Sequence, residues 1–216
     1  MVERYFEYGR TEIDFLKAKD SCLARVIEHI GHIRRPVNPD MFLALINSII
    51  GQQISMKAQE TVWRRFCEKF EPLTPQNIAA LAIEHLQSCG ISTRKATYIQ
   101  QIAQSIVEGS LDLGALNNMT DRQICARLSQ INGIGVWTAE MLMIFSMRRP
   151  DILSWGDMAI LRGLRMVYRH RKITPKLFAK YKRRYSPYGS VASLYLWSVA
   201  GGACESLGFV DLAAKK

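Results

Sequence analysis

No stretch of this 216-residue chain alternates apolar and polar residues over the length of a strand, whereas helical spacing and helix-start signals recur from end to end. Phe42, Leu45, Ile46 and Ile49 fall at i, i+3, i+4 and i+7, the pattern of one buried helical face. Thr74-Pro75 and Thr174-Pro175 each put a capping hydroxyl before a proline at the first helical position, where its missing N–H costs nothing. Thr120 with Gln123 has the spacing of a capping box. Gly90, Gly109 and Gly114, the last with Asn117-Asn118, mark stops or turns. The reading is helices near 12–30, 40–51, 55–70, 75–88, 93–108, 121–129, 136–147, 158–170, 175–184 and 190–206. That is an all-α fold. Two lobes are expected, one from residues 41–130 and one from 1–40 with 131–216. The stretch Arg34-Arg35-Pro36 to Pro39 is the best candidate for a crossing between them.

At 48% apolar and 22% charged residues the chain can bury a core, which excludes general disorder. Its five cysteines are odd in number, scattered and free of any C-x-x-C, which argues against a disulfide-stapled scaffold or a zinc ribbon and favours a reducing compartment. Early acids (Glu3, Glu7, Glu12, Asp14) and no apolar stretch at the N-terminus give no sign of a signal peptide. The run from Tyr185 to Cys204 is charge-free and about the length of a membrane span, but Pro187, three glycines and four serines make it read as a turn followed by a buried helix. A cytoplasmic or nuclear protein with no membrane partner is expected.

The balance of 29 Lys+Arg against 19 Asp+Glu gives a net charge of +10. All of that excess lies in one place. From Met158 to Cys204 there is no acid and there are ten bases: Arg162, Arg165, Arg169, Arg171, Lys172, Lys176, Lys180, Lys182, Arg183 and Arg184. Such a segment favours a phosphate-binding surface over a solvated basic face. A membrane surface is the weaker rival, because no lipidation signal accompanies it.

One short segment says more. Leu128-Ser-Gln-Ile-Asn-Gly-Ile-Gly-Val-Trp-Thr-Ala-Glu140 places Gly133-Ile134-Gly135 between two helices. The glycines allow φ > 0 and leave no side chain over the turn. The turn's amides and the start of the next helix, at Val136 and Thr138, can then face a phosphate. Taken alone, G-x-G between helices is as well explained by a structural turn.

With its flanks, Leu-x-x-Ile-x-Gly-Ile-Gly-x-Trp-Thr-Ala resembles the helix-hairpin-helix of the DNA glycosylase superfamily, in which a catalytic aspartate follows some twenty residues on. Ser154-Trp155-Gly156-Asp157-Met158-Ala159-Ile160 stands in that place. Ile49-Ile50-Gly51-Gln52-Gln53-Ile54-Ser55 resembles the minor-groove loop of the 3-methyladenine DNA glycosylase II branch. The Gly90–Ile99 segment and Leu194-Tyr-Leu-Trp197 are similar to that branch too, and the likeness spans roughly residues 40–205.

The resemblance implies a two-lobed helical fold with a catalytic cleft between the lobes, and a monofunctional enzyme that hydrolyses the N-glycosidic bond of alkylated purines in double-stranded DNA. Asp157 would stabilise the oxocarbenium-like sugar and steer water, although it also reads as the N-cap of the next helix. Trp137 occupies the place of the nucleophilic lysine of strand-cutting members, so no Schiff base would form. Trp137 and Trp197 would form two aromatic walls for a cationic base, with plain core packing the alternative for Trp137. Met141 stands where the branch often has an aromatic, one turn after Trp137. Gln53 would be the wedge filling the vacated space, with a helix-capping or solvent-facing glutamine the alternative, and Gln52 before it and the amides around Gly133, Gly135, Val136 and Thr138 would hold DNA. The carbonyls of Ser129, Ile131 and Ile134 would hold a monovalent cation, Na+ or K+.

His29 and His32 lie at i, i+3 with no third ligand in sight, which makes a metal site improbable. The iron–sulfur cluster of some members needs four suitably spaced cysteines, and near the C-terminus there is only Cys204, so no cluster is expected. No cofactor is required for the chemistry, and no P-loop implies NTP use. The partner is double-stranded DNA carrying damaged bases, bound by a monomer. Two alternatives stay open: a glycosylase of the same fold acting on oxidised or mispaired bases, and a non-catalytic hairpin protein that only binds DNA. Asp157 argues against the second.

Overall fold

The computed structural model describes residues 4–213. The elements in chain order are β1 (Arg4–Tyr5), α1 (Arg10–Lys19), α2 (Ser21–Ile30), β2 (Pro36–Val37), α3 (Met41–Gly51), α4 (Met56–Lys69), α5 (Pro75–Ala80) and α6 (Ile83–Gln87). They continue with α7 (Thr93–Val107), α8 (Asp121–Leu128), α9 (Val136–Phe145), α10 (Met158–Tyr168), α11 (Pro175–Tyr185) and α12 (Gly189–Ala200). The all-α expectation holds. The strands are two residues each and form one antiparallel pair, Arg4 opposite Val37.

The predicted caps form as read. Thr74, Thr120 and Thr174 each accept the amide three residues on, and Gln123 completes the capping box at Thr120. Two predicted helices are divided. The 12–30 helix breaks at Asp20, whose extended backbone and carboxylate cap α2 through the Leu23 amide at 2.9 Å. The 75–88 helix breaks at Leu81-Ala82, both extended. The last helix stops at Ala200, before Gly201 and Gly202.

The chain divides into two compact units, Met1–Val37 with Met143–Lys216, and Asn38–Leu142. The expected second boundary lies at 130/131. The units instead part after Leu142, inside α9, so the glycine hairpin groups with the Asn38 unit.

In the first unit α12 is buried nearly all round, from Gly189 to Leu196 and at Val199 and Ala200. A helix apolar on every face belongs in the middle of a core. α10 crosses it closely: a Cβ on Gly163 would lie 2.4 Å from the carbonyl oxygen of Leu196, so only glycine admits the approach. The serines that complicated a membrane reading are internal ties. Ser190 Oγ donates to the Arg149 carbonyl at 2.6 Å and accepts the Ile152 amide at 3.0 Å, and Ser193 Oγ donates to the Ile152 carbonyl at 3.0 Å. No described helix is long and apolar enough to cross a membrane.

The basic segment is partly neutralised inside this unit. Arg165 forks onto Asp211 at 2.7 and 3.0 Å, with Arg162 at 3.7 Å, and Arg184 pairs with the buried Asp20. The Arg165 hydrogen bond holds the Asp211 carboxyl below the usual range. Exposed bases remain, among them Arg169, Arg171, Lys172, Lys176, Lys180, Lys182 and Arg183.

In the second unit α7 packs against α3, α5 and α6. Its core includes Leu45, Ile46, Ile49, Ile50, Phe66, Ile78, Leu86, Ile99 and Ile102, all at most 1% exposed.

Candidate active site

Asp157 is buried and begins α10. Its Oδ1 accepts the amides of Ala159 at 2.8 Å and Ile160 at 3.0 Å, so the capping role is real. Its Oδ2 accepts the indole N–H of Trp197 at 3.1 Å. The cap and the indole together fix both oxygens of one carboxylate at the positive end of a helix, where negative charge is favoured.

The sequence builds this from α12. Ser190, Ser193 and Trp197 follow one another at i, i+3 and i+7, one face of the helix. The two serines hold the chain at residues 149–152, and Trp197 holds Asp157 five residues later. The Trp197 ring is stacked on Phe145, centroids 5.6 Å apart at 30°, and the Arg35 guanidinium lies 5.2 Å over the Phe145 ring. Sequence reasoning missed the serines, Phe145 and Arg35. The serine spacing along an apolar helix was the available signal.

In the second unit the hairpin and the Gln-Gln loop are joined. Gln52 Nε2 donates to the Gly133 carbonyl at 2.7 Å. Lys95 donates to the carbonyls of Ile50 at 2.9 Å and Gln52 at 2.7 Å, at the end of α3 where carbonyls lack helical partners. Burial lowers the Lys95 pKa from its ordinary value. The sequence held a clue to Lys95: a cation in the first turn of a helix opposes the helix dipole and calls for a partner elsewhere. Gln53, at the loop's tip, is exposed and has φ +58, a left-handed conformation that costs a non-glycine residue about 1–2 kcal/mol.

The two hairpin glycines differ. Gly133 has φ +86, and a Cβ there would meet the Tyr98 ring at 2.4 Å. Gly135 does not have positive φ, contrary to expectation; a Cβ there would meet nothing within 4 Å, so its glycine leaves open space over the turn. Val136 is 54% exposed and Thr138 buried. Trp137, at 46% exposure, is not a core tryptophan. Met141 is half-buried on the same helix.

The Ser129–Ile134 turn holds the oxygens expected to face a cation. Ile131 already accepts the Ile134 amide at 3.0 Å, leaving its carbonyl a second lone pair. The Ser129 hydroxyl is out of solvent with no hydrogen-bond partner among the described residues. An orphaned buried oxygen beside the predicted carbonyls is compatible with a small cation there.

Residues 46–187 match the HhH-GPD superfamily of base excision DNA repair proteins. The chain belongs to this family. It is 29% identical over 193 residues to DNA-3-methyladenine glycosylase 1 of Schizosaccharomyces pombe, covering 86% of this chain and 85% of that one. The crystal structure of a DNA-3-methyladenine glycosidase from Bacillus halodurans superposes with a TM-score of 0.83 at 35% identity, over 94% of each chain. The S. pombe 3-methyladenine DNA glycosylase Mag1 in complex with abasic DNA superposes at 0.78 with 27% identity, over 89% of this chain and 97% of that one. Membership brings the hairpin, the glycine-rich turn and the aspartate into one family context.

Proposed function

We propose that this HhH-GPD protein is a monofunctional DNA glycosylase that hydrolyses the N-glycosidic bond of alkylated purines, of the 3-methyladenine and 7-methylguanine type, in double-stranded DNA. The relatives' names supply the substrate class. The observation that carries the chemistry is the Asp157 carboxylate held between the α10 amides and the Trp197 indole.

As the base departs, positive charge develops on the deoxyribose. A carboxylate already oriented by fixed donors stabilises that charge without reorganising, and it can take a proton from the attacking water. Purines methylated at N3 or N7 are cationic and leave readily, so the protein need supply no acid to the base. The indole of Trp197, locked by its bond to Asp157, and that of Trp137 attract such a cation by cation–π contact. Trp137 has no amine, so the product is an abasic site and not a covalent enzyme–DNA intermediate.

The remaining residues handle DNA. The base must leave the stack to react. Gln53 is the wedge that fills the gap. Gln52 and Lys95 hold its loop, with Gln52 on the same DNA-facing stretch. The amides at Gly133, Gly135, Val136 and Thr138 face a phosphate. A Na+ or K+ held by the carbonyls of Ser129, Ile131 and Ile134 would add positive charge beside it. The protein acts as a monomer wherever the cell keeps its DNA.

The test is to incubate the protein with a duplex treated with a methylating agent and to assay free base. Release of 3-methyladenine or 7-methylguanine, with no adduct trapped by borohydride, is expected. No release of either base would refute the substrate assignment, and a trapped adduct would refute the monofunctional one.

A further inference from the structure

The turn that carries Asp157 also carries a tryptophan that the chemistry above does not use. Trp155 lies two residues before the carboxylate and is 43% exposed, although it is among the largest apolar side chains a protein can bury. It is not loose. Its ring meets Phe178 of α11 edge to face, centroids 5.1 Å apart at 72°, and Phe178 is itself only 6% exposed. The indole is therefore braced from below and open above. Met158, immediately after Asp157, is 72% exposed, so the buried carboxylate is flanked by apolar surface on both sides.

The charge around this surface favours one kind of occupant. Lys182, four residues after Phe178 and so next to it along α11, is exposed. No acid occurs between Met158 and Cys204. An apolar, electron-rich ring in a positive setting suits a strand of nucleic acid, which offers stacked bases and phosphates together. A neutral apolar helix from another protein would leave that positive charge unanswered.

Reach then identifies which part of the strand. Successive Cα atoms are about 3.8 Å apart, so Trp155 starts within about 7.6 Å of residue 157. Nucleotides follow each other along one strand every ~3.4 Å of helix axis. A strand that presents its deoxyribose to Asp157 has its neighbouring nucleotide within reach of a side chain two residues away. We propose that Trp155 is a DNA-binding residue that stacks on the nucleotide adjacent to the extruded one on the same strand, and so holds that strand in register at the carboxylate. The contact is tolerant of sequence, because every base has a π-face. The proposal rests on the assignment of Asp157 to the reacting sugar.

The experiment compares W155A, W155L and W155F with wild type in the full chain. The probe is a duplex containing a tetrahydrofuran abasic-site analogue, read by fluorescence anisotropy, with melting temperatures measured alongside. Leucine keeps an apolar cover over Phe178 but cannot stack; phenylalanine keeps both. The expected result is about tenfold weaker binding for W155A and W155L and binding within about threefold of wild type for W155F. W155L should melt like wild type. On methylated duplex its half-saturating concentration should rise about tenfold, with the saturating single-turnover rate within about threefold. W155L binding as tightly as wild type overturns the proposal, as does an effect confined to the saturating rate. Because the abasic analogue needs no base release, a wild-type protein that fails to release methylated purines would refute the proposed substrate and still leave the Trp155 comparison readable.

Discussion

The indole N–H of Trp197 meets Oδ2 of Asp157 at 3.1 Å, while Oδ1 of the same carboxylate accepts two amides of α10. A tryptophan expected only as a wall for the base is therefore also the residue that orients the carboxylate. Hydrogen bonds to charged groups contribute about 1.5–3 kcal/mol. Trp197→Phe keeps an aromatic surface beside Phe145 and removes the N–H. Its single-turnover rate of base release should fall about tenfold or more while affinity for an abasic-analogue duplex changes little. An unchanged rate would mean that the indole serves only as a wall.

The hairpin glycines provide a contrast within three residues. At Gly133 a methyl group would strike the Tyr98 ring, and the backbone has positive φ. Gly133→Ala should lower stability by about 1–3 kcal/mol. At Gly135 a methyl group meets nothing in the protein. Gly135→Ala should melt near the wild-type temperature yet bind duplex DNA several-fold more weakly, because the methyl fills the space left for a phosphate. Thermal melts and anisotropy titrations of the pair check both halves.

Gln53 and Lys95 separate strain from support. Gln53→Gly removes the side chain from a left-handed position, so the melting temperature should not fall, while extrusion of a base should weaken. Lys95→Met leaves the carbonyls of Ile50 and Gln52 without their ammonium, and about 1–2 kcal/mol of stability should go with it. With 2-aminopurine beside the lesion, both variants should give a smaller fluorescence rise on binding than wild type.

The helices were legible because their starts are chemical. Thr74, Thr120 and Thr174 announce their caps in the sequence, and the structure uses each one. Asp20 was not recognised as a cap. The apolar spacing continues through it, and the carboxylate that caps α2 is also held by Arg184, distant in sequence. The carboxylate and the glycine turn were legible for the same local reason. Their supports were not. The spacing of Ser190 and Ser193 along an apolar helix marks them without saying that they tie down residues 149–152, and the dipole conflict at Lys95 points to a partner elsewhere without naming it. The excess charge was legible as a sum but not as a surface, since Arg162, Arg165 and Arg184 are spent on Asp211 and Asp20.

That pairing has a pH signature. The Arg165 hydrogen bond, its charge and the Ala213 amide hold the Asp211 carboxyl below its ordinary value of 3.8. The unfolded chain then takes up the proton more readily than the folded one, so the contribution to stability is complete above 3.8 and disappears as the pH falls through the folded value. Asp211→Asn should lower the melting temperature at neutral pH, and the gap from wild type should shrink as acid is added below 3.8. A gap independent of pH would assign the loss to packing.

The most direct test of the account is the rate of base release by Asp157→Asn. Asparagine caps helices as well as aspartate, so the start of α10 and the fold should survive. What is lost is the negative charge facing the sugar. Removing one preorganised electrostatic group of this kind costs about 10²–10³ in rate. Under single-turnover conditions on methylated duplex, release by Asp157→Asn should fall at least 100-fold with affinity for the abasic-analogue duplex within a few-fold of wild type. Release at the wild-type rate would contradict the account.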